Sequence, residues 1–238
     1  MSAMVQMYGS SVIAVGAFNP AILSPDWLEH HKLIGAQDAE MARQGANLLI
    51  THQVAQFEGP YFALQVLENQ FLLTSKGAMT PLFKDLLVGI FTLLPQTPVT
   101  AVGLNFMGHY KLASRGDYHT IGDVLAPKTI WRDLFPGSEQ AAGLANLTIR
   151  IDPTSRDSVV QKTKDHKHVT VQPSSSVKNG VFLSYNDHRD VSQTSHDTRL
   201  PAERVAAIVE NDWDSANAFA KDLFEKLIAK TLEFGNSP

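Results

Sequence analysis

Between position 201 and about position 234, Val205, Val209, Trp213, Ala216, Ala220, Leu223, Leu227 and Thr231 recur every three or four residues. That spacing puts them on one face of a single helix. At about 1.5 Å per residue the helix runs roughly 50 Å. A stripe of that length needs a broad apolar surface to cover it, and a sheet of several strands supplies one.

The rest of the chain provides the strands. Residues 47–57, 61–67 and 70–75 read as three strands separated by Glu58-Gly59-Pro60 and Glu68-Asn69. Both links have the length and chemistry of hairpin turns, so an antiparallel meander is expected. Thr80-Pro81 then opens a helix carrying Leu82, Leu86, Leu87, Ile90 and Leu94, which Pro95 stops. Further on, 143–151, 159–171 and 180–191 read as strands leading into the long helix. A strand-strand-strand-helix block therefore occurs twice, at 47–95 and at 143–234.

Ahead of the blocks, a strand at 11–18 is followed by a helix with Ser24 as N-cap and Pro25 at its first position, and by a short helix at 36–43. Between them, 99–112 reads as a long inner strand and 118–135 as a helical segment broken at Pro127. The expected class is α+β: one antiparallel sheet built from the two blocks, with helices packed on one face and a long C-terminal helix. The expected unit is a single domain, 1–238. Its possible halves, 1–136 and 137–238, would meet at Pro136-Gly137, but no Gly/Ser-rich linker divides them.

Composition narrows the function classes. The chain has 238 residues, 44% hydrophobic and 18% charged, which excludes global disorder. It has no cysteine, hence no disulfide, thiolate metal site or cysteine nucleophile. A formal charge of −4 argues against a generally basic nucleic-acid binder. The longest apolar stretch, 86–94, is far short of the roughly 20 residues of a membrane span. No leader pattern is visible, so no membrane partner and a cytoplasmic location are expected. Phosphate-binding glycine loops, G-x-S-x-G and H-E-x-x-H are absent, and no cofactor is expected.

Histidine is the enriched reactive type, with nine residues. His166 and His168 would share one side of a strand and could supply half of a metal site. No third ligand is set by spacing, so no metal is predicted. In Tyr185-Asn186-Asp187-His188-Arg189-Asp190, one face would carry Asn186, His188 and Asp190, and the other Tyr185, Asp187 and Arg189. His188 beside Asp190 has the composition of an oriented general base. Asn105, Met107 and His109 would share a face of the long strand, and Gly103 would mark a bulge or a close approach. Ser174-Ser175-Ser176 reads as a hairpin loop, and His196-Asp197 as a loop beyond the last strand.

The chain is similar to a sporadically distributed bacterial family of uncharacterised proteins of about this length. The points of similarity are Gln70-Phe71-Leu72-Leu73, Leu94-Pro95 leading into Val99 to Phe106, Tyr185 to His188, and the helix around Asn217 to Leu232. The resemblance implies a cytoplasmic protein from a variable gene neighbourhood, with no assigned catalytic residues. The expected function is a non-catalytic interaction or adaptor protein, more a subunit than an enzyme, acting with neighbouring-gene partners or with itself through open strand edges. The alternatives are a metal-assisted hydrolase using His166, His168, His188 and Asp190, and a small-ligand-binding α+β protein.

Overall fold

The computed structural model describes residues 3–77, 80–132, 134, 142–152, 165–192 and 197–235. Its strands are β1 (Met4–Gly16), β2 (Leu49–Ile50), β3 (Val54–Glu58), β4 (Phe62–Leu67), β5 (Gln70–Ser75), β6 (Val99–Lys111), β7 (Leu147–Ile151), β8 (His166–Pro173) and β9 (Gly180–Asp190). Its helices are α1 (Pro25–His30), α2 (Ala36–Arg43), α3 (Pro81–Leu93), α4 (Arg115–Leu125), α5 (Thr129–Arg132) and α6 (Pro201–Gly235). All nine strands form one sheet in the order β2-β3-β4-β5-β1-β6-β9-β8-β7, with every neighbour antiparallel.

The two blocks are present, and each is preceded by its own strand and helices. Read outward from the centre, the first half runs β1-β5-β4-β3 and the second β6-β9-β8-β7. Because β1 and β6 are antiparallel, the strand orders match about an approximate two-fold axis normal to the sheet. Such an axis leaves the helices of both halves on the same face. That face buries alternate residues of every long strand: Val12 and Ala14 in β1, Phe62, Leu64 and Val66 in β4, Leu104 and Phe106 in β6, and Leu183 and Tyr185 in β9. Period-two burial is the mark of a sheet covered on one side.

Both α3 and α6 lie on this face, with α6 packed against α3, α4, β6 and β9. Trp213 of α6 is the junction, with its ring 4.9 Å from Phe106 and 5.4 Å from Phe83. Polar ties also hold α6 in place: Tyr8 donates to Asn217 at 2.8 Å, and Lys84 pairs with Asp214 at 2.7 Å.

Several sequence expectations need correction. The first strand starts at Met4 rather than at 11, because Met4 to Ser10 pair with Lys111 to Phe106 of β6. Residues 47–57 are not one strand. The Thr51 hydroxyl accepts the backbone N–H groups of Gln53 and Val54, folding the segment into the β2-β3 hairpin. In α3 Leu86, Leu87 and Ile90 are buried as expected, but Phe83 is buried in place of Leu82, which is 54% exposed. Beyond Ala220, α6 buries Phe224 and Ile228 fully, with Leu223 and Leu227 half-buried against the same core. The helical segment at 118–135 is α4 and α5, interrupted around Pro127. The strand starting at 143 begins at Leu147. Positions 159–164 of the expected strand, and His196, lie outside the described residues.

Candidate functional site

The expected site residues lie on the second half-sheet, with His166, His168 and His188 on the face away from α6. The β8-β9 hairpin that carries them is fixed by its turn. Ser174 Oγ accepts from the backbone N–H groups of Ser176 and Val177, and Asn179 takes a positive φ of 53° before Gly180. The same hydroxyl lies 2.8 Å from His109 Nδ1, tying the turn to β6 and giving His109 a structural partner.

From that turn the register is set. His166 stands opposite His188, His168 opposite Asn186, and Asn186 opposite Asn105. Asn186 Nδ2 donates to Asn105 Oδ1 at 2.6 Å, and Asn105 Nδ2 donates to the Gly103 carbonyl at 3.2 Å. Gly103 is a close approach rather than a bulge: pairing runs through it without a shift, and a Cβ there would meet Asn186 Nδ2 at 2.7 Å.

The strand pairing thus gathers three histidines. The rings of His166 and His188 stack with centroids 4.3 Å apart, and His166 and His168 are 4.7 Å apart. Burial, then the neighbouring His166, lowers the pKa of His188, against the pull of Asp165 and Asp190. His168 is lowered by burial, by His166 and by Arg150. Both imidazoles are therefore held toward the neutral form.

Stacked rings do not point their nitrogens at a common centre. Among the described residues, no three His, Asp or Glu side chains form a group that could hold a metal. Asp190, the last residue of β9, is close enough to act on His188 electrostatically and also lines the cavity at the start of α6. Its backbone N–H donates to Asp165 Oδ1 at 2.7 Å, and its own Oδ1 accepts from the Ser192 backbone N–H and hydroxyl. On the helix side Asp187 is buried and held by Arg189 through two hydrogen bonds of 2.8 and 2.9 Å. Arg189 also reaches Asp212 of α6 at 3.5 Å. The polar run at the end of β9 thus docks α6 on one side and stacks histidines on the other.

Next to the histidines lies the sheet edge. Arg150 of β7 stands opposite His168, and no strand among the described residues pairs with the outer side of β7. Ile149 and Ile151 are each 48% exposed. The opposite edge, β2, is only two residues long. The sequence signal for the β7 edge was the alternation Leu147-Thr148-Ile149-Arg150-Ile151, which marks a strand but not its place in the sheet. Arg204, buried in the first turns of α6, had no sequence signal beyond a charge near a helix start.

No protein-family model matches this chain, and no match to it is found among curated proteins. Among the described residues, no helix is long and apolar enough to cross a membrane.

Proposed function

We propose that this chain is a non-catalytic interaction protein, an assembly subunit that associates by strand addition at the outer edge of β7. The observation that carries this reading is the combination found at that edge. Among the described residues no strand pairs with the outer side of β7, and the isoleucines along it are nearly half exposed. Such an edge is a template for another strand.

A second copy of the chain is the occupant that fits. In an antiparallel pair centred on Ile149, Leu147 meets Ile151 of the other copy, Ile149 meets Ile149, and Thr148 meets Arg150. Every apolar residue gains an apolar cross-strand neighbour, and no like charges face each other. The contact is isologous and closes as a dimer. Among the described residues the hydrolase alternative has no converging ligand set.

Sedimentation equilibrium tests the proposal. The native chain should sediment as a concentration-dependent dimer, and Ile149→Lys, which places like charges face to face, should be monomeric with unchanged circular dichroism. A native chain that stays monomeric at millimolar concentration, or an Ile149→Lys variant that still dimerises, overturns it.

A further inference from the structure

We infer that the cavity where the end of β9 meets the start of α6 binds a small zwitterion of amino-acid size, with its carboxylate on Arg204 and its ammonium group at Asp212. The cavity holds about 300 Å³ and is lined by Arg204, Asn211, Asp212, Asp190, Asp197 and Arg199 among others. That volume is at the small end of ligand sites.

Arg204 is the built part. The residue is only 5% exposed, yet of its donors only Nη1 makes a hydrogen bond, to the Ser192 carbonyl at 2.6 Å. Nε and Nη2 are shielded from solvent and have no hydrogen-bond partner; the nearest carboxylate oxygen, on Asp197, is 4.0 Å from Nε. A buried cation with unbonded donors is costly. Its place in the opening turns of a helix adds to the cost, because the positive end of the helix dipole repels it. If the guanidinium turns toward the cavity, an incoming carboxylate supplies the missing acceptors in the forked geometry that a guanidinium favours.

The rest of the lining decides what else the ligand must carry. Asp197 is already occupied, accepting from the Arg199 backbone N–H, Nε and Nη2 at 2.9–3.0 Å. Asp190 is taken by Ser192. Asp212 meets Arg189 only at 3.5 Å, which leaves acceptor capacity facing the cavity, with Asn211 beside it. Three carboxylates against two lining arginines disfavour a simple anion. A molecule that brings its own positive group removes that penalty.

Isothermal titration calorimetry and thermal-shift measurements with the common amino acids test this. Acetate and ethylamine serve as single-charge comparators. At least one amino acid should bind one to one and raise the melting temperature, while acetate and ethylamine do neither. Asp212→Asn should weaken binding tenfold or more, and Arg204→Met should abolish it. If Arg204→Met does not fold, Asp212→Asn and Asn211→Ala carry the test. The inference fails if no amino acid binds at millimolar concentration, if acetate binds as well as the amino acids, or if Asp212→Asn leaves affinity unchanged. Ile149→Lys should retain this binding, so the outcome is independent of assembly at β7.

Discussion

Replacing Trp213 with alanine removes the side chain that joins α6 to the sheet. Trp213 is 3% exposed and touches Phe83 of α3 and Phe106 of β6. An aromatic side chain buries about 150–250 Å². At about 25 cal/mol per Å² that is roughly 4–6 kcal/mol relative to full exposure. Alanine keeps part of the burial and the unfolded chain is never fully extended, so the expected loss is about 4 kcal/mol, within the range for large core truncations. For a chain of this size the loss corresponds to a melting temperature lower by about 8–16 °C. Urea denaturation followed by far-ultraviolet circular dichroism reads the free energy, with the slope checked against the native chain. A double cycle with Phe83→Ala should give a combined loss smaller than the sum, because the two rings share one contact. A loss below about 1 kcal/mol at unchanged slope, against the roughly 3–5 kcal/mol typical of such truncations, would refute the packing of α6 described here.

Gly103→Ala should cost about 1–3 kcal/mol, because the new Cβ would stand 2.7 Å from Asn186 Nδ2 and push it off Asn105; a melting temperature within error of the native value contradicts this. Burial and the neighbouring His166 lower His168 and His188 in the folded state, so the unfolded chain binds more protons. Their contribution to stability is then complete above the unfolded histidine value of about 6.5 and is lost as pH falls toward the lowered folded values. Melting temperatures between neutral pH and pH 5 should fall, and a His168→Gln, His188→Gln double variant should fall less steeply; equal slopes contradict this.

Local order was legible because each signal needed only neighbouring residues. The turn at Glu68-Asn69, the Ser24-Pro25 helix start and the period-two runs of β4, β5 and β9 all lie where their residues indicate. Placement in the sheet was not legible. Nothing in Met4 to Ser10 announces a strand, since those residues become one only by pairing with β6, far along the chain. The shift of the buried α6 stripe to Phe224 and Ile228 depends on what lies beneath the helix, not on its own pattern. The histidines share a side by strand parity, which the sequence shows. Their stacking depends on the register of β8 against β9, set by the Ser174 turn. Arg204 looks like any charged residue near a helix start until its burial is seen.

Because the chain contains no cysteine, single cysteines placed along β7 report on its edge without background. Across the two-fold axis of an antiparallel pair, facing Cα atoms lie about 4.5–5.5 Å apart, which suits a disulfide. Under mild oxidation Ile149→Cys should form a covalent dimer faster than Thr148→Cys or Arg150→Cys. Leu49→Cys, on the opposite edge of the sheet, should stay monomeric. A Ile149→Cys chain that cross-links no faster than Leu49→Cys would contradict assembly through β7.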